Sequence, residues 1–347
     1  MMEKRRFIHN EKFITESKDS ILGVEIPCSI SSIEITYHVT PGSPHGKRVV
    51  WICHALTANS DPTEWWDTLV GVGKFFDTER DYIVCANILS SCYGSTGPQS
   101  IDPITGKPYM FSFPLISIRD MVKAHELLRM ELGIDRIDLL IGGSSGGFQC
   151  VEWAVSNPSI IKNLCLIACN ARISAWGTAL NESQRMALMA DPEFSAGEDV
   201  NGGKNGLACA RTIALLSYRS YQGYKNTQSE SDDDCFLASR AGSYQQYQGK
   251  KLTDRFNAWS YYYLTLGLDT HNVGRGRGGV EKALSKITAN TLCVAIDSDV
   301  LFPKEEIEFM AAHIPNARFE LIDSDWGHDG FLLEYKKLEE VINTLGV

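Results

Sequence analysis

The sequence lacks an apolar run of membrane-spanning length, a Cys-x-x-Cys pair, an internal repeat, a low-complexity tract and any excess of basic residues. Each absence removes a class of function. Without about 20 consecutive apolar residues, no transmembrane helix is expected and no membrane partner. Without closely spaced cysteine pairs, neither a zinc site nor a redox dithiol is expected, and no metal is assigned. The formal net charge of −10 argues against nucleic acid as a partner, because phosphate backbones are held by basic surfaces. It leaves small anionic substrates open, since a local patch can override the global sign. The first residues, MMEKRRFIHNEKFITESKDS, carry charge where a secretory signal would carry an apolar core. The ten cysteines are scattered, and Cys53, Cys85, Cys165 and Cys293 sit inside apolar runs. Reduced, structural thiols in a cytoplasmic protein are the expectation.

What is present is the composition of an ordinary globular chain: 347 residues, 44% hydrophobic and 22% charged. That length accommodates an α/β core with an insertion. Short apolar runs read as buried strands: VVWICHAL (49–56), YIVCANIL (82–89), IDLLIGG (137–143), NLCLIAC (163–169), TLCVAID (291–297) and RFELID (318–323). Between them, SIRDMVKAHELLRMELG (117–133) places apolar residues at helical spacing and ends at Gly133, and GFQCVEWAVSNP (147–158) opens another helix. Strands alternating with helices predict a mostly parallel sheet covered on both faces. The alternation stops between about 173 and 287, where helical runs occur without a strand pattern. The expected organisation is therefore an α/β core from residues 1–172 and 288–347, with a helical lid, 173–287, inserted into it. Within the insertion, SESDDD (229–234) reads as a solvated loop and WSYYYL (259–264) as lid core.

The stretch LLIGGSSGGFQ (139–149) contains G-x-S-x-G twice, centred on Ser144 or on Ser145. It follows an apolar strand and opens a helix, the context of a nucleophile elbow. A glycine-rich turn that binds phosphate, or nothing, is the alternative. A serine hydroxyl needs a base to take its proton and a carboxylate to orient that base. On the α/β-hydrolase fold these follow the serine in the order acid, then histidine. AIDSDVLFP (295–303) offers Asp297 and Asp299 after a late strand, and DSDWGHDGFL (323–332) offers His328 after the last one. Of the other histidines, His54 follows a strand in CHALT, where this fold places the loop that donates an oxyanion-hole N–H, so it reads as a loop-shaping residue.

Together with CHALTANS, CYGSTGP, FPLISIRDMV, ISAWGTALNESQR, LSYRS, DRFNAWSYYYLTLGLDTHNVGRGRGG, DSDVLFP and GHDGFLLE, these residues resemble the homoserine O-acetyltransferase family of α/β-hydrolase-fold acyltransferases. The matching strings extend over nearly the whole chain. The resemblance implies that Ser144 is the nucleophile, Asp299 the orienting acid and His328 the base. It implies an oxyanion hole from the N–H groups of Leu56 and Ser145, and substrate contacts from Arg219 to a carboxylate and Asp329 to an ammonium. The family elbow usually reads G-G-S-M-G-G, so Ser145 departs from it by replacing methionine. The implied reaction moves an acetyl group from acetyl-CoA, a co-substrate, to L-homoserine through an acyl-serine, in methionine biosynthesis. No permanently bound cofactor is implied, and the expected partners are these small molecules and a second copy of the chain as a homodimer. A succinyl donor, L-serine as acceptor and a plain serine esterase remain as alternatives. Arg275 and Arg277 in NVGRGRGG (272–279) offer either a contact to coenzyme A phosphates or a solvated loop.

Overall fold

The computed structural model describes residues 2–17 and 28–346. Eight strands form one sheet: β1 (Glu3–His9), β2 (Ile33–Val39), β3 (Arg48–Cys53), β4 (Asp81–Ala86), β5 (Ile137–Gly143), β6 (Ile161–Ile167), β7 (Asn290–Ile296) and β8 (Ala317–Ile322). Their order across the sheet is β1-β2-β4-β3-β5-β6-β7-β8. β1 pairs antiparallel with β2, and β2 with β4; every later neighbour is parallel. The six apolar runs became β3 to β8. The antiparallel pair at the edge was not expected, because β1 (EKRRFIH) is charged and mostly exposed; it is held by its backbone pairing with β2, by Arg6 at 3.2 Å from Glu34 and by Phe7 against the core.

The central strands are apolar on both faces because both are covered. In β5 and β6, Leu140, Leu164 and Leu166 join one core with Trp51 and Trp153, while Leu139, Ile141, Cys165 and Ile167 join a second core on the opposite face. This two-sided burial is what a parallel sheet between helical layers requires. The helices of eight or more residues are α1 (Ile118–Glu131), α2 (Ser145–Ser156), α3 (Ala175–Met189), α4 (Lys204–Tyr218), α5 (Tyr221–Gln228), α6 (Arg240–Thr253), α7 (Ala258–Asp269), α8 (Lys304–His313) and α9 (Tyr335–Asn343). α1 starts with a capping box: Ser117 accepts from the Asp120 N–H, and the Asp120 carboxylate accepts from the Ser117 N–H.

Between β6 and β7 the regular structure is helical, apart from an isolated bridge from Arg172 to Asn272. Trp259, Tyr261 and Tyr263 of α7 are buried there, as read from the sequence, and Tyr261 donates a 2.6 Å hydrogen bond to Gln184 of α3. The acidic loop is exposed as expected, with one addition. Glu230 accepts the Ser239 and Arg240 N–H groups, at 2.5 and 2.7 Å, and so caps the start of α6. Among the described residues, no helix is long and apolar enough to cross a membrane, and no cluster of side chains is suited to a metal ion.

Candidate active site

The site begins with the bend that joins β5 to α2. Ser144 sits between them at φ 57° and ψ −128°, a left-handed backbone that a non-glycine residue holds only under tertiary constraint. Its N–H is tied to the Ile167 carbonyl of β6 at 3.0 Å. Glycine is required around it for space. A Cβ at Gly146 would lie 2.1 Å from the Cys53 carbonyl oxygen, and one at Gly143 would lie 2.4 Å from the Phe331 ring. α2 can therefore start against the end of β3, and Ser144 is pushed up at the carboxyl end of the strands. In open α/β sheets that is where ligands bind.

The loop after β3 is shaped by two buried polar side chains. The His54 Nδ1–H donates to the Ala55 carbonyl at 2.8 Å, and its Nε2 accepts from the Ile88 N–H at 3.2 Å, so these partners define the tautomer. Complete burial holds its pKa down at about 4, which makes it a neutral brace. Gln149 donates to both the His54 and Ser145 carbonyls, linking this loop to the first turn of α2. Among the described residues, neither the Leu56 nor the Ser145 N–H donates to another protein group.

Two further loops deliver the carboxylate and the imidazole. After β7, the Asp299 Oδ1 accepts the Leu301 and Phe302 N–H groups at 2.8 and 3.0 Å, which leaves Oδ2 to accept from His328 Nδ1 at 2.7 Å. Asp297 instead accepts the Ser324 N–H at 2.8 Å and stitches the loop after β7 to the loop after β8. Of the two aspartates offered by the sequence, Asp299 meets the histidine and Asp297 braces it. Burial disfavours the His328 cation, but the Asp299 charge and hydrogen bond, with Asp329 adding to them, outweigh burial and raise its pKa above the usual 6.5. The ring lies among Tyr218, Phe302 and Phe331, at centroid distances of 5.7, 5.2 and 5.3 Å.

Gly327, at φ 65°, brings the helical layer onto this loop: a Cβ there would meet the Ser220 N at 2.7 Å and the Arg219 carbonyl carbon at 2.8 Å. That close approach sets Arg219 beside Asp329, with Nε 3.1 Å from Oδ2. Burial raises the Asp329 pKa, and Arg219 pulls it back only in part.

Ser144, His328, Asp329 and Arg219 all line one cavity of about 580 Å³, together with Leu56, Tyr93, Arg211, Tyr218, Lys251 and Arg255. A small recess of about 20 Å³ continues from Ser144 between Ser145, Phe148, Ser217, Tyr218 and Phe302. The residues singled out in the sequence thus lie in or beside one cavity, although among the described residues no hydrogen bond joins the Ser144 hydroxyl to His328. Ser145 presents a buried hydroxyl that has no hydrogen-bond partner among the described residues. Arg275 and Arg277 do not line the cavity. Arg277 holds the buried Glu152 carboxylate at 2.6 and 2.9 Å, and Arg275 pairs with Glu16 at 2.7 Å, so both charges are taken up by carboxylates, while Arg275, Gly276, Gly278 and Gly279 stay exposed, as a solvated loop would. Arg211, Lys251 and Arg255 were not identified from sequence, because their facing depends on how α4 and α6 pack over the sheet.

Residues 48–335 match the model of the alpha/beta hydrolase fold family. A homoserine O-acetyltransferase from Cyclobacterium marinum is 44% identical over 86% of this chain and 84% of that protein. Among solved structures, homoserine O-acetyltransferase from Bacillus anthracis superposes with a TM-score of 0.86 at 23% identity, over 99% of this chain and 98% of that one. Esterase E22 superposes equally well, with a TM-score of 0.87 at 22% identity over 99% and 100% of the two chains, so at that distance the likeness establishes the fold alone. Sequence identity with the curated relative settles what shape cannot: the chain belongs to the homoserine O-acetyltransferase family of α/β-hydrolase-fold acyltransferases.

Proposed function

We propose that the chain transfers an acetyl group from acetyl-CoA to the hydroxyl of L-homoserine by a ping-pong mechanism, as a step of methionine biosynthesis. His328 takes the Ser144 proton while Asp299 orients the ring and stabilises its cation. The Ser144 oxygen attacks the thioester carbonyl, and the Leu56 and Ser145 N–H groups receive the oxyanion, a contribution of about 3 kcal/mol per donor in comparable sites. The carbon–sulfur bond then breaks, His328 returns the proton to the sulfur, and coenzyme A leaves. In the second half the homoserine hydroxyl gives its proton to His328 and attacks the acyl-serine, and Ser144 is released protonated.

The observation that carries this reading is the Arg219–Asp329 pair beside the base. An esterase needs neither charge, whereas an amino acid acceptor carries both a carboxylate and an ammonium. A zwitterion inserted here exchanges one ion pair for two, with the guanidinium matched to the carboxylate. The recess next to Ser144 supports acetyl over succinyl. It has room for about one water-sized group and no cation among its lining residues, so a succinyl carboxylate would be buried unpaired. The helices of the insertion, which cover the cavity, serve as the lid that keeps water from the acyl-serine. Their exposed Trp176, Met186, Leu216 and Tyr221 favour a homodimer contact through the same layer. The ten free cysteines suit the cytoplasm.

Intact-protein mass spectrometry after addition of acetyl-CoA tests the mechanism. One acetyl group is expected on the wild type and none on Ser144→Ala, with the label discharged by homoserine much faster than by buffer. Rapid coenzyme A release without an acceptor, unchanged by homoserine, would make the chain an esterase.

A further inference from the structure

The mouth of the cavity carries an excess of positive charge on a chain whose formal net charge is −10. Its charged lining residues are Arg211, Arg219, Lys251, Arg255, Glu64 and Asp329. Asp329 is committed to Arg219, and Glu64 accepts from the Asn59 side chain at 2.7 Å. Among the described residues, Arg211, Lys251 and Arg255 form no ion pair. Arg255 is fixed all the same. Its guanidinium donates to the Thr57 carbonyl and, at 2.7 Å, to the Tyr93 hydroxyl. These neutral acceptors hold the group in place without cancelling its charge. Lys251, one turn earlier at the end of α6, is exposed at the rim. Arg211 lies deeper, 5.3 Å over the Tyr218 ring, and Tyr218 in turn adjoins His328. The three cations therefore run from solvent towards Ser144.

We propose that Lys251 and Arg255, with Arg211 behind them, form the subsite that binds the phosphates of the coenzyme A carrier. The inference rests on the acyl-CoA reading above. A thioester with a diphosphate and a 3′-phosphate on its distal end would bring several negative charges to this rim while its sulfur reaches Ser144. Unpaired, pre-positioned cations in a cleft also raise the encounter rate of an anionic substrate. The loop of Arg275 and Arg277, the other basic stretch in the sequence, is excluded because its charges are spent on Glu16 and Glu152.

The test compares acetyl-CoA with S-acetylpantetheine, which has the same thioester and no phosphate, at saturating homoserine. Lys251→Gln is expected to raise KM for acetyl-CoA about fivefold and Lys251→Glu about tenfold, the scale of one lost charge-assisted contact. Both should leave kcat, KM for S-acetylpantetheine and KM for homoserine within about twofold, and added salt should erase the wild-type preference for acetyl-CoA. Equal effects on both donors, or none, would overturn the subsite while leaving the transferase reading intact. Calorimetric titration of coenzyme A itself separates the two ideas without turnover. Equal affinity for wild type and Lys251→Glu refutes the subsite, and no binding to wild type together with no turnover of either donor refutes both.

Discussion

The Ser145 hydroxyl is an anomaly at the scale of one residue. It is 2% exposed and unpartnered among the described residues, at a position where the family elbow usually carries an apolar methionine. Burying a hydroxyl without a hydrogen bond costs about 1–3 kcal/mol. In the proposed mechanism the backbone N–H, not the side chain, receives the oxyanion, so side chain and function are expected to separate here. Ser145→Ala keeps the N–H, adds nothing to a crowded turn and deletes the orphan oxygen. Thermal unfolding should show stabilisation by about 1 kcal/mol, with kcat for acetyl transfer retained within about twofold. A tenfold fall in kcat in the stabilised variant would mean that the hydroxyl reaches the reacting group, and would assign it a direct part in the reaction.

At the scale of elements, the helical segment between β6 and β7 is fastened to the sheet layer by Arg277, which bridges from the loop after α7 to Glu152 on α2, the helix that follows Ser144. The Glu152 side chain is 1% exposed, and Arg119 approaches it at 3.3 Å from α1. Removing one partner of a buried ion pair typically costs about 3–5 kcal/mol. Arg119 remains to share the charge, so Arg277→Ala should destabilise by about 2–3 kcal/mol in denaturant unfolding. KM for acetyl-CoA should stay unchanged; a selective rise would return this loop to the coenzyme A site. The pairing also shows where the sequence stops being legible. β3 to β8 announced themselves through local apolar runs, and the elbow through glycine pairs between strand and helix. Chain order pointed to His328 and to the pair Asp297 and Asp299, and the family resemblance chose Asp299 between them. The partners of Arg277 lie 125 residues away, and no local pattern encodes which of the exposed-looking arginines will find a buried acid. The same holds for Lys251 and Arg255, whose helical context says nothing of the cavity they face. β1 was missed for a related reason: an edge strand is held by its neighbour's backbone, so its side chains are free to be charged.

For the whole molecule, the neutral buried histidines set the acid limit. His54, His125 and His271 are completely buried, and burial lowers their pKa values to about 4, about 3 and about 3. His271 stacks on Phe148 at 4.0 Å, and His125 lies between Trp51 and Trp153, at 5.9 Å from each. In the unfolded chain each titrates near 6.5. Above that value neither state is protonated and the three contribute nothing to the pH dependence. Below it the unfolded chain takes up protons that the folded chain refuses, so stability falls as the pH drops from 6.5 towards 4. Each proton is worth about 1.4 kcal/mol per pH unit, so three together give a slope of about 4 kcal/mol per unit once the unfolded histidines are fully charged. His328 acts in the opposite sense. Its raised pKa supplies stability below 6.5 that is lost only as the pH rises through its folded value, so it does not soften the acid slope. Buried carboxyls such as Asp120 and Asp269, whose pKa values burial raises, take up protons in the folded state and do soften it towards pH 4, which makes pH 6 to 5 the informative window. His125 isolates the effect, because both its ring nitrogens lack partners among the described residues and it lies outside the cavity. Urea unfolding of His125→Phe at a series of pH values should show a slope shallower by about 1.4 kcal/mol per unit near pH 5, one proton fewer. A variant slope parallel to that of the wild type would mean that His125 is protonated in the folded protein, and that the pocket between the two tryptophans is open to water.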